Sequence, residues 1–235
     1  MGERRIVVAV DGPAGSGKSS VSREVARRLG MRYIDSGAIY RAVTHYLLGR
    51  LGSLEKGGSY AGFLDGLRIG QSFDSDGSVR TTVNGVDVSR AIRDETITRN
   101  IGTVSDDPGV RNYVNNLLRS WSARESFIMD GRDIGTVVFP DAAVKIYLDA
   151  SAEVRSLRRA AEYREMGKTV DVNDIRNQII RRDQEDTSRP IGRLQKAEGS
   201  FYMDTSSMDK EEVIERIIAL IAEADGPDMA DSRPE

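Results

Sequence analysis

Cysteine is absent from the chain, and histidine occurs once, at position 45. The first absence removes disulfides, thiolate metal ligands, cysteine nucleophiles and thiol redox chemistry, and it suits a reducing compartment. The second leaves a Ser-His-Asp mechanism one candidate base and makes a multi-histidine metal site impossible. His45 falls in an apolar helical stretch, Tyr40 to Leu48, which reads as packing rather than catalysis. A cationic excess is also missing: 34 Lys and Arg stand against 37 Asp and Glu, a net charge of −3. No nucleic-acid backbone is expected to be held by charge alone. Long apolar runs are lacking, since the first, Ile6 to Val10, is far shorter than a signal-peptide core or a membrane span. A cytoplasmic protein with no membrane partner is expected, and a monomer, because no long exposed apolar face is apparent.

What is present suits one folded unit. Over 235 residues, 39% are hydrophobic and 30% charged, too apolar for general disorder. A chain of this length buries roughly 70% of its unfolded surface, enough for one core with a small added module. Arg5 to Val10 reads as a buried strand stopped by Gly12-Pro13. Val21, Val25, Ala26 and Leu29 then recur at helical spacing, and Gly30 sits where a C-terminal cap belongs. A short strand from Met31 to Ile34 leads to Asp35-Ser36, which reads as the start of a helix running through Leu48.

From Leu51 glycines break the periodicity, and Asn84-Gly85 between two β-prone triplets signals a hairpin. Residues 57–93 are therefore expected to be a small β-containing insertion, with residues 1–56 and 94–224 as the core. Asp107-Pro108 opens a helix whose apolar face is Val110, Tyr113, Val114, Leu117 and Leu118. Strands follow at Ser126 to Met129 and Val144 to Leu148, then helices from Ala152 to about Met166 and from about Asp174 to Arg189 at the latest. Phe201 to Met203 is a short strand, Val213 to Ile221 a last amphipathic helix, and residues 225–235 a solvated tail. The sum is an α/β fold: a parallel sheet with helices on both faces, as in P-loop NTPases.

Gly12 to Ser19 fits G-x-x-x-x-G-K-[ST], the loop whose backbone N–H groups cradle phosphates at a helix N-terminus. Its residues Gly12, Pro13, Ala14, Gly15, Ser16, Gly17, Lys18, Ser19 and Ser20 form the expected ATP site. Lys18 would reach the β/γ-phosphates, and Ser19 or Ser20 would offer a hydroxyl to Mg²⁺. Kinases, switches and motors share this loop, so the acceptor must be read elsewhere. Phosphoryl transfer needs preorganised cations around the moving group. Arg41 follows the Asp35-Ser36 cap and Arg132-Asp133 follows the strand ending at Asp130, both at carboxyl ends of strands where ligands of open α/β sheets bind. Arg182, Asp186 and Arg189, spaced by four and three, share one helix face, although a surface ion pair has the same spacing. Asp11, Asp35, Asp130 and Asp133 are all conceivable bases for a hydroxyl acceptor, whereas a phosphate acceptor needs none.

Together, Asp11 to Ser20, Asp35 to Arg41, the run Asp130 to Ala142, and Arg182-Asp183 with Asp186 and Arg189 resemble the bacterial cytidylate kinases over about residues 4–222. The resemblance implies Mg²⁺-assisted phosphorylation of CMP and dCMP by ATP. By position, Arg41, Arg132 and Arg189 would hold the acceptor phosphate with Ser36 and Tyr40. Arg111 and Asp133 would read cytosine, and Arg182 with Asp186 would lie over the ribose. Arg158 would serve the donor nucleotide, residues 183–195 would form a short lid, and Lys18, Arg132, Arg182 and Arg189 would be the catalytic cations. The family often has a serine at the position of Gly102, and Ser19-Ser20 replaces its usual small residue plus Thr. A kinase acting on UMP or a small metabolite, and a nucleotide switch, are the alternatives.

Overall fold

The computed structural model describes residues 5–122, 125–165 and 167–225. Its main sheet joins β1 (Val7–Asp11), β2 (Arg32–Asp35), β6 (Phe127–Gly131), β7 (Val144–Asp149) and β8 (Phe201–Asp204), all parallel, in the order β2-β6-β1-β7-β8. Period-2 alternation sends Val8 and Val10 to one face and Ala9 to the other. The first face packs on α1 (Lys18–Leu29) and α7 (Lys210–Asp225) through Val21, Val25, Ile214 and Ile217. The second packs on α2 (Ser36–Leu51) and α4 (Pro108–Ser122) through Ile39, Val43, Leu47, Val114 and Leu118. Central β1 has neighbours on both sides, so the order reverses there and opens a crevice at the strands' carboxyl ends.

Helix starts follow the local chemistry. Asp35 caps α2 by accepting from the Ala38 N–H at 2.8 Å, as its sequence position suggests. Asp107 accepts from the N–H groups of Gly109 and Val110 at the start of α4. Gly30, with φ +63°, closes α1.

Segment 57–93 holds an antiparallel sheet of β3 (Ile69–Phe73), β4 (Val79–Val83) and β5 (Val86–Asp87). Asn84 and Gly85 turn the hairpin with φ of +51° and +84°. Tyr60, Leu64, Leu67, Val83 and Ile92 of this segment lie in the same apolar cluster as α2 and α4.

Several boundaries differ from the sequence expectation. A helix unforeseen in the pattern, α3 (Glu95–Ser105), forms because Asp94 caps it and Ile97 and Val104 are buried, although Gly102 dilutes its propensity. The helix expected from Asp174 is α6 (Val172–Ser188), which starts two residues earlier with Asp171 as its cap, and it follows α5 (Ala152–Glu165). Strand β3 begins at Ile69, well before the two triplets around Asn84-Gly85 but inside the expected insertion. Asp225, expected in the tail, closes α7. Residues 226–235, Met166 and the charged lead 1–4 lie outside the described residues.

Leu118 is fully buried among α2, α4 and the sheet. Leu118→Ala is expected to lower unfolding free energy by about 2–5 kcal/mol in urea titration, and a loss well under 1 kcal/mol would contradict this core assignment.

Candidate active site

The phosphate loop leaves β1 at Asp11 and enters α1 at Lys18. Gly12 has φ +149°, and a Cβ there would overlap the Leu148 carbonyl oxygen, so only glycine lets the loop turn against β7. Lys18 is buried, with Nζ donating to the Pro13 carbonyl at 2.6 Å and to Ser16 Oγ at 3.3 Å. Ser19 Oγ donates to Asp130 Oδ2 at 2.7 Å, whereas the Ser20 hydroxyl turns to the Gly17 carbonyl. The two serines expected to offer a hydroxyl therefore differ, and only Ser19 meets a carboxylate. Tyr33 donates to the other oxygen of Asp130. Arg158 approaches from α5, donating to the carbonyls of Thr205 at 2.8 Å and Ser16 at 3.4 Å.

Across the crevice, three arginines meet at one carboxylate. Arg132 Nε donates to Asp186 Oδ2 at 2.8 Å, Arg189 Nη2 lies 3.2 Å from Oδ1, and Arg182 Nε lies 4.0 Å from Oδ2. Asp186 is only 4% exposed, and the three cations, opposed by burial, hold its carboxyl below the ordinary range. Arg189 is steadied by Ser105 Oγ at 3.1 Å and Asp106 at 3.6 Å. The spacing read on sequence as either a site or a surface ion pair thus belongs to a buried cluster. Arg41 is set apart: its Nη1 donates to Thr98 Oγ1 and the Ile92 carbonyl, with Asp35, Arg93 and Arg132 as charged neighbours.

A second buried pair joins Arg111 of α4, whose Nη2 donates, to Asp133 Oδ2. The Arg111 guanidinium sits 5.6 Å from the centre of the Tyr40 ring. Burial opposes its charge, but Tyr40 and Asp133 outweigh that and raise its pKa. Ser36 Oγ donates to the Asp130 carbonyl at 2.6 Å. Residues 183–195, expected as a lid, begin as the last part of α6 and continue as a loop from Arg189. Gly192 in that loop packs directly on the Arg111 guanidinium, where any side chain would clash. Gly102 lies on α3 with Arg189 as its near side-chain neighbour.

A family model described as cytidylate kinase matches residues 8–223. This chain belongs to the cytidylate kinase family. A cytidylate kinase from Geobacillus sp. (strain WCH70) is 39% identical, covering 94% of this chain and 98% of its own length. One from Carboxydothermus hydrogenoformans is also 39% identical, over 91% and 96% respectively. Among solved structures, an uncharacterized protein from Eubacterium ventriosum ATCC 27560 is similar with a TM-score of 0.52 and 13% identity, covering 93% of this chain and 99% of that one, a likeness of fold alone.

Two further residues brace the elements of the site. Arg155 donates to the Ala14 carbonyl of the loop, and Asp11 accepts from the N–H groups of Ile134 and Gly135, fixing the π-helical turn (Ile134–Val138) after Asp133. Asp11 begins the run that ends at Ser20, whereas no motif surrounds Arg155.

Burial and nearby cations shape the charges. Desolvation, then Arg132, lowers the Lys18 pKa to about 7, against the opposing pull of Asp130 and Asp11. Arg182 falls to about 10 by burial and then Arg132. Burial raises Asp11 and Asp35 each to about 6, with Asp130 adding to the rise at Asp35. A bound polyanion favours charged Lys18, so binding above pH 7 must take up a proton. Calorimetric titration of ATP at pH 8, where its terminal phosphate is already ionised, in buffers of differing ionisation enthalpy, should show uptake approaching one proton per site, lost in Lys18→Met. Net proton release by the unaltered protein would contradict it.

Proposed function

We propose that the protein transfers the γ-phosphoryl group of ATP to the phosphate of CMP or dCMP, giving CDP or dCDP. The observation that carries this reading is the Arg132-Arg182-Arg189 cluster on Asp186, facing a phosphate loop across one crevice. The relatives named cytidylate kinase support the same reaction.

Residues 12–20 and Arg158 are assigned to ATP. The loop N–H groups and the α1 N-terminus would bind the donor phosphates, and Lys18 would follow charge onto the β/γ oxygens. Arg41, Arg132 and Arg189 would hold the acceptor phosphate with Ser36 and Tyr40, Arg182 with Asp186 would lie over the ribose, and Arg132, Arg182 and Arg189 would with Lys18 spread the charge of the transferring group. The acceptor oxygen is anionic near neutral pH, so in-line attack needs no general base. Arg111 would donate to N3 and O2 of cytosine and Asp133 would accept from its amino group, a pattern uracil cannot satisfy.

Ser19 Oγ and Asp130 offer hard oxygen donors 2.7 Å apart. No cluster of three potential ligands among His, Cys, Asp and Glu occurs among the described residues. That donor set fits Mg²⁺ held chiefly through substrate phosphates, where the ion would neutralise phosphate charge. The protein is read as a cytoplasmic monomer without nucleic-acid or membrane partners. The lack of cysteine suits a reducing compartment and the lack of a cationic excess suits the absence of a nucleic-acid partner; no described helix is long and apolar enough to cross a membrane.

A coupled ATP-consumption assay across CMP, dCMP, UMP, AMP and shikimate tests the reading. CMP and dCMP should stimulate most, and a protein stimulated by none of them would be a switch rather than a kinase. Asp133→Ala should lower kcat/KM for CMP by about 10- to 100-fold and narrow the CMP/UMP ratio, in line with about 1–3 kcal/mol for a base-reading contact. An unchanged ratio refutes the role given to Asp133.

A further inference from the structure

Arg155 is buried, 6% exposed on its side chain, and its guanidinium joins three elements. Nε donates to the Ala150 carbonyl at the end of β7 at 2.8 Å, and Nη1 donates to the Ala14 carbonyl in the phosphate loop at 3.0 Å. Nη1 and Nη2 also grip both carboxylate oxygens of Asp183 on α6, at 3.0 and 2.6 Å. Asp183 follows Arg182 directly and precedes Asp186 by one turn, so one bidentate pair ties the loop to the helix that carries the arginine cluster.

Two further observations give that tie its weight. A trans peptide points its C=O and N–H in opposite directions, so holding the Ala14 carbonyl toward Arg155 turns the Gly15 N–H away from α5. Gly15 has φ +80°, and its open side rests on Arg155 Cβ, 3.5 Å from where a side chain would begin. The α5–α6 hairpin, moreover, has its own small apolar cluster, Ala160, Ile175 and Ile179, separate from the two clusters on the sheet faces. Its alignment to the loop therefore depends on directional polar contacts, of which the one from Arg155 to the Ala14 carbonyl is buried and the one from Arg158 to the Ser16 carbonyl partly so.

We propose that Arg155 and Asp183 form a positioning pair that couples the phosphate loop to the Asp186 arginine cluster, so that donor and acceptor bind cooperatively. The proposal rests on the phosphotransfer reading. Arg155 acts through the Ala14-Gly15 peptide, Asp183 acts through Arg155, and neither is assigned a contact with the reacting atoms. Ordering of the loop by donor phosphates would hold α6 in register, and an acceptor gathered by α6 would stiffen the loop in return, since coupling between sites is reciprocal.

The test compares the unaltered protein with Arg155→Met, Asp183→Asn and the double variant. The main readout is the ratio of Kd values for a non-hydrolysable ATP analogue without and with CMP. The unaltered protein should show a ratio well above one, and Asp183→Asn should bring it close to one. Asn keeps an acceptor for Arg155 but leaves its buried charge unpaired, so the thermal midpoint should fall and the ratio is read well below it. For this variant kcat should fall about tenfold and KM for ATP at saturating CMP should rise by the factor the ratio loses, while the analogue's Kd without CMP stays within about twofold, because coupling rather than the donor site itself is lost. The double variant should be no worse than Arg155→Met alone. The proposal is overturned by a ratio of one in the unaltered protein, by an unchanged ratio in Asp183→Asn, or by losses that multiply in the double variant. Absence of CMP phosphorylation by the unaltered protein would instead overturn the phosphotransfer reading. The pair is then judged with inorganic phosphate as second ligand, where loss of coupling in Asp183→Asn supports it and no change sinks it.

Discussion

Like charges packed into one crevice are the constraint around which this molecule is organised. Lys18, Arg132 and Arg182 lie close enough for each guanidinium to depress the lysine's affinity for a proton. Without compensation such a cluster would disperse its side chains into solvent. Asp186 prevents this by pairing with three guanidinium groups while almost wholly buried, and Asp130 and Asp11 draw Lys18 the other way. Removing one member of a buried charge cluster typically costs about 3–5 kcal/mol, because the others are left uncompensated. The carboxylates are thus part of the site, even where no bond-making role falls to them.

The fold makes the crowding feasible. Parallel strands end together, and at the central switch point the loop after β1 faces the turn after β6 across a single crevice. Asp11 closes that gap from beneath, joining the end of β1 to the turn that presents Arg132 and Asp133. The inserted sheet braces the other flank: Gln71 of β3 accepts from the Asp35 N–H at 2.8 Å and holds the cap from which α2 carries Ser36, Tyr40 and Arg41. Because the insertion shares its apolar cluster with α2 and α4, its seating and the acceptor side of the crevice are packed as one.

Local signals were legible where chemistry is local. Gly12 to Ser19, the Asp35 cap, the Asn84-Gly85 turn and the Gly30 cap each depend on a few adjacent residues, and each has the geometry its pattern suggests. Helix α3 escaped notice because its apolar residues are few and a glycine interrupts them, so tertiary burial of Ile97 and Val104 outweighs propensity. Arg155 escaped as well, since nothing in its own neighbourhood records that Ala14 lies against it, 141 positions away in the chain.

Read alone, the order of residues determined the strand-loop-helix phosphate cradle, the parallel α/β class, and the identity of the arginines available to meet an anion. Only the folded chain decided which carboxylate gathers them, which of two adjacent serines faces Asp130, and that Arg111 is locked to Asp133 beneath Gly192. Periodicity and turn chemistry act over a few residues and survive in one dimension. Charge pairing depends on distance in space, which the crossing of distant strands sets.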